Sequence, residues 1–111
     1  MNFYTLFTYK AKLLKIIDAD TLDVELDLGF EVYKRARCRL ANINAPELKT
    51  LEGKAAKQFI VDTIPLGSEI LVESKDYDKY GRSLAIVHYN GVNINELLIT
   101  NNHAIAYMVK T

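Results

Sequence analysis

The 111-residue chain lacks most of the features that announce a compartment or a bulk ligand. Its single cysteine, Cys38, excludes a disulfide framework within the chain and suits a reducing compartment. Fourteen basic residues meet fourteen acidic ones, so the formal net charge is zero. A polyanion could then be held only by a local patch, never by bulk charge. No apolar run approaches the roughly 20 residues of a membrane-spanning helix, and none of the partners expected is a membrane. The opening MNFYTLFTYKAK has no basic lead, long greasy run or small-residue cleavage site. Repeats, low-complexity tracts and linkers are missing as well. What remains is an ordinary globular composition, half apolar and a quarter charged. One domain over residues 1–111 is expected. Its expected setting is the cytoplasm or an intracellular phage- or plasmid-encoded role, with secretion only if an export signal has been removed.

The clearest local signal is Thr21–Leu28, TLDVELDL. Leu22, Val24, Leu26 and Leu28 alternate with polar residues at the period of a half-buried strand. Tyr9–Ile17 reads as a strand leading into the turn DADT. Glu31–Leu40 reads as a third, with Ala36, Cys38 and Leu40 on one face and Arg35, Arg37 and Arg39 on the other. Thr50–Thr63 changes to helical spacing, with Leu51, Ala55 and Phe59 beside Ala56 and Ile60, and is stopped by Pro65 and Gly67. Ile70–Val72 lies in a fourth strand and Arg82–Tyr89 forms a fifth. Asn90-Gly91 favours a tight hairpin turn, and Asn93 with Glu96 opens a short helix through Ile99. The order β-β-β-α-β-β-α is that of a β-rich α+β protein, a five-stranded Greek-key barrel of the OB type with two helices.

Three polar clusters fall on these elements. Asp18 and Asp20, in the first turn, either offer hard oxygens to a divalent cation or satisfy turn backbone groups. Arg39 leads into Asn44-Ala45-Pro46-Glu47, where Pro46 pushes Ala45 toward extended backbone and presents Glu47 at a defined angle. Glu47 is then either a general base beside a cation or a solvated loop residue. In DYDKYGR, Arg82 has the fork that suits a phosphate and Tyr80 can lie against a base or sugar; the alternative is a charged loop before a strand.

Together, IDADT, RLANINAPE, GKAAKQF, DKYGR and NINELL resemble the staphylococcal nuclease (thermonuclease) family over roughly residues 9 to 108. The resemblance implies an SNase-like OB barrel and a calcium-dependent hydrolase of DNA and RNA phosphodiesters, leaving 5′-hydroxyl and 3′-phosphate ends. It implies Asp20 as a direct calcium ligand with Asp18 nearby. Asn44 falls at a ligand position that is usually aspartate, and Ala45 supplies a carbonyl. Glu47 matches the residue that activates water, Arg39 and Arg82 match the two phosphate-gripping arginines, and Tyr107 matches a nucleotide-contacting tyrosine. The implied partner is a nucleic-acid substrate and a monomer is expected.

This chain departs from the family pattern at several points. Ala19 replaces the glycine of D-G-D-T, Asn42 stands where many relatives have glycine, and only five residues separate Glu47 from Gly53. The chain ends at Thr111, so the expected fold lacks the family's last helix. Asn44 removes a charge from the ligand set, which lowers the expected calcium affinity. A different class of function fits the same barrel, a non-catalytic OB-fold module that binds nucleic acid. The basic residues Lys10, Lys12, Lys34, Arg35, Arg37, Lys49, Lys54 and Lys57 are candidates for its patch, or solvated faces. His88, His103 and Cys38 read as structural.

Overall fold

The computed structural model describes residues 7–77 and 83–107. The elements run β1 (Thr8–Asp18), β2 (Thr21–Asp27), β3 (Tyr33–Leu40), β4 (Ile43–Asn44), α1 (Leu51–Thr63), β5 (Glu69–Tyr77), β6 (Ser83–Tyr89), β7 (Val92–Asn93), α2 (Ile94–Thr100) and β8 (Ile105–Ala106). The five long strands lie in the order β3-β2-β1-β5-β6, with antiparallel neighbours. A parallel pairing of β3 with β6, Cys38 to Ser83 through Leu40 to Ala85, closes them into a barrel. This is the expected five-stranded OB-type barrel with two helices. Among the described residues, no helix is long and apolar enough to cross a membrane.

Alternation does the work in the barrel. Leu13, Leu22, Val24, Leu40, Ile70 and Val87 point inward and are fully buried, joined by Ile60 and Ile64 from α1 and its end and by Ile94 and Leu98 from α2. Each such side chain contributes about 1.5–3 kcal/mol by leaving water. The third strand starts at Tyr33 and not at Glu31, because Gly29, Phe30 and Glu31 all take positive φ and form the turn. The buried face of α1 also differs from the expected stripe. Gly53, Ala56 and Ile60 face inward, whereas Leu51 and Ala55 are exposed. A glycine cannot announce itself in a hydrophobic pattern, so the stripe is displaced by its presence.

Both predicted turn chemistries are present. Asn90 and Gly91 have φ of 51° and 78°, and β6 and β7 pair on either side of them. Asn93 caps α2, its side chain accepting the Glu96 N–H at 3.1 Å. Asn42 takes the left-handed conformation at φ 64°, which asparagine tolerates better than most residues. Ala19 is not among the positive-φ residues and is buried in the core.

The barrel seam depends on Asn95, buried in the first turn of α2. Its carboxamide oxygen accepts the Val87 N–H at 3.1 Å, and its amide donates to the Ala41 and Ala85 carbonyls at 3.0 and 3.1 Å. Three backbone groups beside a three-residue parallel ladder are thus satisfied by one side chain. Asn95→Leu keeps the volume but removes this partner from the Val87 N–H and the Ala41 carbonyl, while the Ala85 carbonyl still accepts the Ala41 N–H at 2.8 Å. We expect it to lower stability by about 2–4 kcal/mol with an unchanged denaturant slope. A urea titration showing a loss under about 0.5 kcal/mol would mean the seam holds without it.

Candidate active site around Asp20 and Arg39

Asp20 sits where β1 turns into β2. The Asp18 carboxylate accepts the Asp20 N–H at 3.2 Å, the local bond by which aspartate shapes turns. Register then brings β3 alongside, with Thr21 opposite Arg39, and the Asp20 carbonyl accepts the Leu40 N–H at 2.8 Å. Beyond Leu40 the chain reverses through Asn42 and folds back over the Arg39 guanidinium.

That guanidinium holds the reversal together. Its Nη1 donates to the Leu40 carbonyl at 3.1 Å and to the Ile43 carbonyl at 3.0 Å. Nη2 donates to Asn44 Oδ1 at 3.0 Å and lies 3.5 Å from Asp20 Oδ2. The same Asp20 oxygen accepts the Ala45 N–H at 3.0 Å, while Thr21 Oγ1 donates to Asp20 Oδ1 at 3.2 Å. The two charged side chains are only 14% and 11% exposed. Charges so far out of water persist only when paired and hydrogen-bonded, and both conditions are met here.

The two aspartates are pushed in opposite directions. Burial, reinforced by the neighbouring Asp20 carboxylate, pushes the Asp18 carboxyl up to about 6. Burial also opposes ionisation of Asp20. It is outweighed by the hydrogen bonds from Asp18, from the Ala45 N–H and by the Arg39 charge, so Asp20 lies below the ordinary range. Two carboxylates in contact supply hard oxygens, although among the described residues no group of three or more His, Cys, Asp or Glu side chains that could hold a metal ion is gathered. The neutral oxygens of Asn44 and Ala45 stand on the facing segment, although the Asn44 oxygen is turned toward Arg39.

Glu47 lies two residues past Ala45, its side chain 73% exposed and its carboxylate 3.3 Å from Lys49 Nζ. Tyr107 is joined to the same region through its backbone, its N–H donating to the Asn42 carbonyl at 2.9 Å. It follows β8, which pairs with β4, so the segment carrying Asn44 is held from both sides. Tyr80 and Arg82 lie outside the described residues. Structure therefore gathers Asp18, Asp20, Arg39, Asn44 and Ala45 into one cluster, with Glu47 and Tyr107 on adjoining backbone.

Several basic candidates are already engaged. Arg37 makes a two-pronged bond to Asp23 at 2.8 and 3.1 Å, and Arg35 faces Glu25 at 4.0 Å. His88 lies 3.5 Å from Glu73, and the His103 ring sits 4.7 Å from that of Phe59. Burial raises the Cys38 thiol to about 11, which makes it a poor nucleophile.

Residues 37–111 match the family described as staphylococcal nuclease homologue. The chain belongs to that family. It is 32% identical over 108 residues to a micrococcal nuclease of Shigella flexneri, covering 89% of this chain and 59% of that protein. It is 36% identical over 81 residues to protein ParB of Escherichia coli, covering 73% and 42% respectively. An uncharacterized endonuclease of Haemophilus influenzae is 34% identical over 96 residues, 86% of this chain and 51% of its own length. The chain thus spans about half the length of the relatives it matches. Of the residues singled out by the resemblance, Asp18, Asp20, Arg39, Asn44 and Ala45 are the ones the cluster brings together. What the sequence reading missed are Asn95, which tightens the seam, and the roles of Thr50 and Gly53 taken up below. For Asn95 the sequence offers only a carboxamide between Ile94 and Glu96 in the first turn of a helix.

The raised Asp18 carboxyl has an effect whose sign can be measured. Because the folded Asp18 carboxyl lies above its ordinary value of 3.8, its stabilising contribution is complete below that value and is lost as pH rises through about 6. Asp18→Asn keeps a side-chain oxygen for the Asp20 N–H and has no charge to lose. In chelator, the variant should gain on the wild type between pH 4 and pH 7.5, by on the order of 1 kcal/mol once solvent screening is allowed for. Parallel unfolding curves at the two pH values would contradict the raised carboxyl.

Proposed function

We propose that this chain is a nuclease that uses calcium to hydrolyse DNA and RNA phosphodiesters, leaving 5′-hydroxyl and 3′-phosphate ends. The observation that carries the reading is the buried Asp20–Arg39 pair tied to the Ala45 N–H, formed by residues within IDADT and RLANINAPE. Relatives named as nucleases support it. Asp20 and Asp18 would hold the ion, with the Asn44 and Ala45 oxygens completing the set. When bound, such an ion neutralises charge on the phosphoryl oxygens.

The chain's own residues would do the rest. Glu47 stands at the exposed rim, where its carboxylate reaches bulk water and can take a proton from the attacking molecule. Arg39 and Arg82 would oppose the charge that grows on the phosphoryl group. The Arg39 guanidinium faces outward through Nη2, whose partner Asn44 Oδ1 is exposed and neutral. A phosphate oxygen exchanged for that carboxamide gives the guanidinium an acceptor of opposite charge, and a bond between two ions is stronger than one to a neutral oxygen. A monomer suffices, since every group invoked comes from one chain.

A second reading has one observation in its favour. Both terminal nitrogens of Arg39 already donate to this chain's own oxygens. A domain that uses Arg39 solely to brace the turn would bind strands without cutting them. Digestion of supercoiled plasmid and a single-stranded oligonucleotide separates the two readings. With millimolar calcium the wild type should cut, and chelator should stop it. Glu47→Gln, Arg82→Ala and Arg39→Lys should each lower the rate by on the order of 10²-fold or more. Lysine is preferred at position 39 because alanine would leave Asp20 buried without its cation, a loss of about 3–5 kcal/mol. Strand binding without cleavage would select the binding module.

The carboxamide at position 44 gives an independent check. Calcium affinity rises with the charge of the ligand set, so Asn44→Asp should tighten calcium binding in a calorimetric titration. An unchanged dissociation constant would place Asn44 outside the ion's ligand set.

A further inference from the structure

Glu47 presents a difficulty for a general base. Its side chain is largely exposed, and the Lys49 side chain it pairs with is 83% exposed. A solvated ion pair of that kind contributes roughly 0–1 kcal/mol and cannot aim a carboxylate. Whatever orients Glu47 must act through its backbone.

The backbone is in fact gripped. The Glu47 carbonyl accepts the Thr50 N–H at 3.0 Å and the Thr50 hydroxyl at 2.6 Å. Thr50 is the N-cap of α1, and the same hydroxyl accepts the Gly53 N–H at 2.9 Å. In the usual capping box a glutamate or glutamine at the position of Gly53 reaches back to the N-cap N–H. Here the Glu47 carbonyl occupies that role, and the residue that would compete for it has been reduced to glycine.

Glycine is required there for a second reason. A Cβ at Gly53 would overlap the Glu47 carbonyl and would lie 2.9 Å from the Pro46 carbonyl oxygen. Both obstacles are backbone, which cannot rotate aside as a side chain tip does. A glycine inside a helix costs about 1 kcal/mol relative to alanine. That cost is retained at a position where a helix former would press the catalytic loop away. The obstacle on one side and the hydroxyl on the other leave the Glu47 peptide one seat.

We propose that Thr50 and Gly53 are positioning residues for Glu47, seating its peptide against the first turn of α1 so that the carboxylate meets the attacking water. This rests on the reading of Glu47 as general base. Neither residue touches the substrate. Their contribution is geometric, and displacement of a reacting group by about 1 Å can cost as much as 10²-fold in rate.

The test compares Thr50→Val, Thr50→Ser and Gly53→Ala, each in the wild type and in a Glu47→Gln background. Turnover and KM are measured on a single-stranded oligonucleotide at saturating calcium, with thermal unfolding alongside. Thr50→Val and Gly53→Ala should lower kcat by about 10–10²-fold with KM little changed, and Thr50→Ser, which keeps the hydroxyl, should restore kcat. In the Glu47→Gln background neither should lower kcat further, because the group they aim is gone. An unchanged kcat in both variants, with Glu47→Gln inactive, overturns the positioning role and leaves the general base standing. Equal losses in both backgrounds overturn it too, marking general damage. Full turnover by Glu47→Gln removes the base and the proposal with it. If Gly53→Ala fails to fold, Thr50→Val, which disturbs one hydroxyl, decides the matter.

Discussion

The structure around the site depends on one guanidinium placed inside a reversing chain. Leu40 ends β3 and Ile43 begins β4, on either side of the Asn42 turn. Arg39 donates to the carbonyls of both. This single side chain therefore ties the end of β3 to the start of β4. Bringing Ile43 back also brings Ala45 within 3.0 Å of Asp20. Asp20, Arg39, Asn44, the Ala45 N–H and the turn are therefore one hydrogen-bonded assembly. Buried charge is expensive, and its retention here follows from the number of bonds that each charge satisfies.

Zero net charge takes on a meaning once the register is known. Arg35, Arg37 and Arg39 line one face of β3, and β2 sets Glu25, Asp23 and Thr21 directly opposite. Arg37 and Arg35 are thus matched across the sheet by acids, whereas opposite Arg39 the acidic residue is displaced by one, to Asp20 in the turn. The ladder neutralises itself along the strand and leaves its last cation bound to the cluster. Attraction of a polyanion would therefore be local and salt-sensitive, concentrated at the rim where Arg39 ends the ladder.

How much of this could be read beforehand varies with the range of the interaction. Period-2 alternation over Thr21–Leu28 located β2, and turn chemistry located Asn90-Gly91 and the Asn93 cap, because each is decided within a few residues. Three consecutive positive-φ residues at 29–31 shortened β3, and nothing in Phe30 or Glu31 advertises that conformation. The two-residue strands β4, β7 and β8 are too short to show a period. Asn95 was missed because its partners lie as far away as Ala41, and a carboxamide in a helix does not say whom it will meet. The site residues were legible as types and spacings through the family resemblance. Their bonds were not, since Asn44 turned toward Arg39 is a fact of tertiary geometry.

The site then divides into two halves with different physics. Asp20 and Arg39 are nearly dry, and there a charge keeps most of its strength because water does not screen it. Glu47 is exposed, its side chain 73% accessible, and so it cannot be held by burial. Order at such a residue has to come from its own backbone, and the first turn of α1 supplies it through a hydroxyl and the absence of a Cβ. A loop of only five residues between Glu47 and Gly53 is what permits this. A longer one would carry the Glu47 carbonyl beyond reach of the helix cap, and the entropy of the added residues would have to be overcome by other contacts. Shortness of the loop, glycine in the helix and threonine at its cap are three local oddities with one physical reason.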